Sequence, residues 1–177
     1  MATTTTRPMT FAEFAELPEP KGFRYELHHG ELVEMTFPNQ KHVRAQWQLR
    51  RMLEHAAGPG GFVDKEVPYR PLPEYEAWSA DVAYMPRPKW DAIEGCLAGA
   101  PDLVIEVLSP SNTAAEMRDK RKLCLTNGSR EFWVVDPEQR EVEVSTPDGR
   151  SVIYGTRQSI PFFFAAGSSV SVDAILS

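Results

Sequence analysis

Between residues 40 and 57 apolar side chains recur every three to four positions (Val43, Trp47, Leu49 or Arg50, Leu53, Ala57), which predicts an amphipathic helix stopped by Gly58-Pro59-Gly60-Gly61. A second helical pattern begins at Ser111 or Asn112, either of which could cap it, and runs to about Asn127 before Gly128. Turning that stretch by about 100° per residue centres Met117 and Cys124 on the inward face, leaves Lys120 close to it and puts Lys122 on nearly the opposite side. A short helix at the start is signalled by Thr10 and Glu13, a capping box ahead of Phe14 and Leu17, and ends at Pro18 and Pro20.

The remaining apolar segments are short and read as strands. Residues 23–27 and 31–35 flank His28-His29-Gly30 as a hairpin, with both histidines expected in a solvated turn. Residues 62–69 alternate with one face inward, and residues 80–85 form a strand with Asp81 near its start. Residues 86–99 are irregular, with one helical turn at 90–93. The run Leu103-Val104-Ile105-Glu106-Val107-Leu108, between Pro101 and Pro110, has the content of a strand buried on both faces. Residues 131–136 form another apolar strand, and 141–145 with 151–154 a hairpin about Pro147-Asp148-Gly149. The C-terminal piece, with Phe162, Phe163 and Phe164 and then residues 170–176, must pack on the core or on another subunit.

Strands interspersed with helices make this a mixed α/β (α+β) plan, and 177 residues suffice for one well-cored domain, expected over residues 9–177 after a disordered Thr-rich leader at 1–8. No apolar run approaches a membrane span and no signal peptide pattern opens the chain, so a cytoplasmic location is expected. Cys96 and Cys124 show no metal-knuckle or disulfide-framework spacing. The net charge of −6 argues against a generally basic surface, but Lys41, Arg44, Gln48, Arg51 and His55 fall on one outer stripe of the long helix. That stripe is either a solvated face or a track for a phosphate backbone, with Lys41, Arg44 and Arg51 the candidate DNA contacts.

Glu106 is the anomaly in the pattern. A carboxylate inside a buried strand needs a cationic partner, an exposed edge or a metal ion to offset its lost hydration. Asp81 on a neighbouring strand adds a second hard oxygen donor, a set that suits Mg2+ or Mn2+, and a lysine nearby could steady charge on a phosphate oxygen. Asp102 competes for the ligand role, but alternation puts it on the face of Glu106 and roughly 13 Å away, too far to share one ion.

Four passages carry a resemblance. Arg24-Tyr25-Glu26-Leu27 through Gly30-Glu31-Leu32-Val33, Ala80-Asp81-Val82-Ala83, residues 101–111 and Glu131-Phe132-Trp133-Val134-Val135-Asp136-Pro137 are similar to the Uma-type putative restriction endonuclease family of the PD-(D/E)XK nuclease superfamily. The resemblance implies a restriction-endonuclease-like core, a mixed central sheet flanked by helices with an extra N-terminal hairpin and C-terminal strands, and metal-dependent DNA cleavage. In its terms Asp81 and Glu106 are the metal-binding carboxylates, with the Val107 carbonyl as a further ligand. The signature lysine falls at Leu108 and is missing there; the family carries it instead on the following helix, eight residues before the glycine that ends it, which here is Lys120 before Gly128. Glu26 matches an acidic residue of the hairpin that either completes the metal site or makes a structural salt bridge. Cys124 stands where the family usually has tyrosine.

The expected function is therefore Mg2+- or Mn2+-dependent hydrolysis of DNA phosphodiester bonds by Asp81, Glu106 and Lys120, with Glu26 assisting. The alternatives are a nuclease-fold binding module with weak catalysis and a hydrolase of small phosphoesters. A homodimer sealed by Phe162, Phe163 and Phe164 would serve to cut both strands.

Overall fold

The computed structural model describes residues 7–18, 20–35, 38–110 and 112–177. In chain order the elements are α1 (Phe11–Ala15), β1 (Arg24–His28), β2 (Glu31–Met35), α2 (Gln40–Ala57), β3 (Gly61–Arg70), β4 (Trp78–Pro86), α3 (Arg87–Asp91), β5 (Leu97–Ala98), β6 (Leu103–Val107), α4 (Ala114–Thr126), β7 (Glu131–Asp136), β8 (Glu141–Ser145), β9 (Ser151–Tyr154), β10 (Ser159–Pro161), β11 (Ser169–Ser171) and α5 (Val172–Ile175). Of the expected leader, residues 1–6 lie outside the described residues, whereas Arg7 and Pro8 are in place, Arg7 paired with Glu13.

Seven strands form one sheet in the order β5-β3-β4-β6-β7-β8-β9, which puts β6 at its centre, buried at every position as its composition predicted. The β6–β7 and β3–β5 pairs are parallel and the others antiparallel, so the sheet is mixed. α4 provides the crossover between the parallel strands β6 and β7. Leu103, Ile105 and Val107 face the layer that contains Leu49 and Leu53 of α2, while Val104 faces the layer of Cys124 and Leu123 of α4.

Alternation slips once, in β3 and β4 together. Val63 belongs to the α2-side core and Val67 and Tyr69 to the α4-side core, although all three are odd-numbered; likewise Trp78 and Ala80 face α4, Val82 and Tyr84 face α2, and Ala83 and Met85 face α4. The slip falls where Glu66 meets Asp81, a position without regular ladder pairing, and Glu66 adopts φ 54°, a left-handed conformation rare for a residue with a side chain. The expectation that residues 62–69 turn a single face inward is corrected by this kink.

The boundaries of α2 match the pattern, but its inward face matches only at Leu49 and Leu53. His42, Ala45, Gln46, Leu49 and Leu53 are buried, whereas Trp47 is exposed and Val43 only half-buried. Thr113, not Asn112, caps α4, forming a capping box with Glu116, while Asn112 accepts hydrogen bonds from the Ser109 N–H and hydroxyl at 2.8 and 2.9 Å; Ser111 lies outside the described residues. Removing the cap in Thr113→Ala is expected to cost about 1 kcal/mol and lower the melting temperature by roughly 2–4 °C, read by circular dichroism. The helical turn expected at 90–93 lies earlier, at α3, where Trp90 stacks on Phe62 at 3.6 Å.

β1 and β2 form a separate two-stranded sheet held to the body by reciprocal Leu27–Ala77 backbone hydrogen bonds of 2.9 and 3.0 Å. Gly30 in its turn has φ 76°, and a Cβ there would lie 2.4 Å from Pro8 Cβ, so the turn admits glycine alone. The aromatic run is not an exposed interface. Phe162 is buried and stacked 6.2 Å from Trp133, and Phe164 lies 3.9 Å from Tyr84, covering the α2 side of the sheet. The dimer expectation loses that basis. No helix among the described residues is long and apolar enough to cross a membrane.

Candidate functional site

The expected site residues lie on four different elements, and folding brings them to one cavity of about 480 Å³ lined by Glu26, Asp81, Glu106, Val107 and Lys120 among others. Glu106 reaches it because alternation along β6 turns it, like Val104, to the α4 side. It is 6% exposed; Oε2 accepts from the Lys120 ammonium at 3.1 Å, and Oε1 is buried without a hydrogen-bond partner among the described residues. Burial pushes its pKa up; Lys120 opposes this, but neighbouring Asp81 and Glu26 reinforce it, and the carboxyl is carried to about 8.

Lys120 projects from the inward face of α4, as the helical pattern indicated, and is 6% exposed. Its Nζ is 3.8 Å from Glu26 Oε2 and lies 5.8 Å from the centre of the Trp78 ring. Burial alone would lower its pKa, but the carboxylates of Glu106 and Glu26 outweigh burial and hold the ammonium charged above its ordinary range. Lys122 is exposed. Glu26, only 2% exposed, accepts from the Ser79 N–H at 3.2 Å, and its other oxygen is 2.8 Å from His28 Nε2. Burial raises its pKa, yet Lys120 and His28 together bring it below the ordinary carboxylate value.

Asp81 sits at the slip in β4. Its Oδ2 accepts from the Val107 N–H at 2.7 Å, and Oδ1 accepts from Gln46 Nε2 at 2.9 Å, with His42 Nε2 3.0 Å away. The same Gln46 nitrogen lies 2.6 Å from Glu66 Oε1, and the other Glu66 oxygen is paired with Arg24. The left-handed Glu66 thus supplies an acceptor that fixes the amide on Asp81.

Gln46, His42, Glu66, Arg24 and His28 were not anticipated. His28, expected in a solvated turn, is half-buried and bound to Glu26; His29 does occupy the turn, with its ring nitrogens 2.9 Å from Glu76 and 2.6 Å from Asp119. A signal did exist for two of them. Positions 42, 46, 49 and 53 form a helical stripe whose lower half is apolar and whose first two members are His and Gln, a polar start to a buried face. Asp102 is removed from contention by its pair with Lys89 at 2.7 Å. Of the basic candidates, Lys41 pairs with Glu138 at 2.8 Å and lines with Arg44 a neighbouring cavity of about 330 Å³; Arg51 lines neither cavity.

No group of three or more His, Cys, Asp or Glu residues is arranged to hold a metal ion among the described residues. The donor chemistry nevertheless fits a divalent cation. Glu26, Glu66, Asp81 and Glu106 are set against two fixed cations, Arg24 and Lys120, so carboxyl groups outnumber cations around the cavity. The unpartnered Glu106 oxygen is where that surplus is least compensated.

No curated protein matches the chain. Four solved chains do. Among them is the crystal structure of a putative nuclease belonging to DUF820 from Anabaena variabilis, 22% identical, with a TM-score of 0.81 over 96% of this chain and 98% of that one. At that identity the likeness speaks for the fold, a mixed sheet flanked by helices. The profile of the family Uma2, described as putative restriction endonuclease, matches residues 11–176, nearly the whole chain. The chain belongs to the Uma2 family.

Proposed function

We propose that this protein is a metal-dependent DNA endonuclease whose centre is Glu106, with Asp81, Lys120 and Glu26. The observation that carries the reading is the buried, unpartnered Glu106 oxygen beside Asp81 and a buried ammonium. Asp81 and Glu106, with the Val107 carbonyl, would hold Mg2+ or Mn2+. When bound, such an ion would supply Lewis acidity toward the scissile phosphate and make a bound water easier to deprotonate. Lys120, kept charged by its carboxylate neighbours, stabilises negative charge building on a phosphate oxygen. Glu26 holds Lys120 toward the cavity and is itself oriented by His28 and the Ser79 N–H. Gln46 and His42 orient Asp81 from α2. Lys41, Arg44 and Arg51 supply cationic contacts to the DNA backbone.

One observation favours a binding module instead: both Asp81 oxygens already accept hydrogen bonds. Calorimetric Mn2+ titration and cleavage of supercoiled plasmid decide between the two. The native protein is expected to bind Mn2+ and nick the plasmid, and Asp81→Asn to bind at least about tenfold more weakly. A native protein that binds no Mn2+ and leaves plasmid intact would return the choice to the binding module.

A further inference from the structure

The outer face of α2 carries a side chain that the folding of the chain does not explain. Trp47 is 56% exposed, whereas Trp78 and Trp133 are buried and Trp90 is covered by Phe62. Around it stand three cations without carboxylate partners among the described residues. Lys65 Nζ lies 5.9 Å from the centre of the indole, Arg51 donates to the neutral Gln48 amide at 3.0 Å, and Arg44 stands one turn before Trp47. Trp47 directly follows Gln46, whose amide reaches Asp81, and Lys65 directly precedes Glu66 on the cavity wall. Leu49 and Leu53 anchor the same helix in the core, so the helix that carries both Gln46 and the indole is fixed on the body.

We infer that Trp47, with Arg44, Arg51 and Lys65, is a stacking platform for an unpaired base, so that the strand presented to the carboxylates is single-stranded or locally opened DNA. This rests on the nuclease reading above and narrows its substrate. A positively charged surface attracts any DNA backbone, but an indole standing out from a helix finds a free base face only where bases are unpaired; in a duplex each face is covered by its neighbour. Charge and aromatic surface together therefore select single strands, with the cations holding phosphates on either side of the stacked base.

Fluorescence anisotropy with fluorescein-labelled oligothymidylate, and with its duplex with oligoadenylate, tests this in EDTA; plasmid nicking with Mn2+ is measured in parallel. The native protein is expected to bind the single strand more tightly than the duplex. Trp47→Ala should weaken single-strand binding about five- to a hundredfold while leaving its salt dependence unchanged, and Trp47→Phe should retain most of it. Arg51→Ala should instead lower the slope of log affinity against log salt by about 0.7. Circular dichroism melts show whether each variant is folded. If native protein nicks plasmid but Trp47→Ala binds oligothymidylate as tightly as native, or native prefers the duplex, the platform is wrong and the nuclease reading stands. A native protein that binds neither DNA and nicks nothing overturns both.

Discussion

Glu106→Gln is expected to abolish metal-dependent DNA cleavage, with a loss of about 10³-fold or more, while making the metal-free protein more heat-stable at alkaline pH than the native one. The two effects share one cause. Burial and the carboxylates of Asp81 and Glu26 raise the folded-state pKa of Glu106 from 4.5 to about 8 against the pull of Lys120. A group raised in the folded state contributes its full stability below its unfolded pKa and loses it as pH climbs toward the folded one. Native protein in EDTA should therefore lose stability between about pH 4.5 and 8, and the glutamine variant, with nothing to titrate there, should not share that loss. Lys120 is charged in both states across this range and does not alter the trend. At about 1.4 kcal/mol per pH unit, discounted for coupling to Lys120, the variant's advantage at the upper end should reach about 2–4 kcal/mol. Melting curves in EDTA at several pH values check it. Equal melting temperatures at both ends of the window would mean that Glu106 is not held protonated by its neighbours.

Lys120→Met is expected to do the opposite to stability, lowering it by about 3–5 kcal/mol near neutral pH. Lys120 is the ammonium between Glu106 Oε2 at 3.1 Å and Glu26 Oε2 at 3.8 Å, and its loss would leave the buried Glu26 carboxylate facing an uncharged methionine. Cleavage should fall by about 10² or more, because the fixed positive charge held beside Glu106 would be gone. The control is Lys122→Met on the exposed side of the same helix, which should change stability by no more than about 0.5 kcal/mol. Urea denaturation measures both. Added Mn2+ should recover part of the Lys120→Met loss, since a dication at Asp81 and Glu106 replaces the missing positive charge; failure to do so would separate the lysine's structural role from the metal proposal.

Both predictions rest on residues that stand out in the chain itself, and the reason is local. Glu106 is the lone carboxylate of an apolar strand, and strand composition reports burial directly. Lys120 follows from 3.6-residue periodicity, which needs only Met117 and Cys124 as landmarks. The span of α2 is equally local, set by Asn39 as its cap and Gly58 as its stop. Its inward face is not: Trp47 out and Gln46 in is decided by what α2 meets, and what it meets is Glu66 and Asp81, 20 and 35 residues further along the chain than Gln46.

Local periodicity and composition in the sequence thus determined the main helices, the longer strands, the buried carboxylate and the lysine that answers it. The strands β5, β10 and β11, of two or three residues, are too short for any period to register. The partners of Asp81 depend on the order β3-β4-β6 in the sheet and on the slip at Glu66, whose left-handed φ has no signature in residue type. The aromatic run at 162–164 was equally suited to an interface or to the core; only the Trp133 and Tyr84 rings waiting on the sheet face decided for the core. Convergence of side chains from separate elements is a property of the tertiary structure, because the contacts that impose it join residues far apart in the chain.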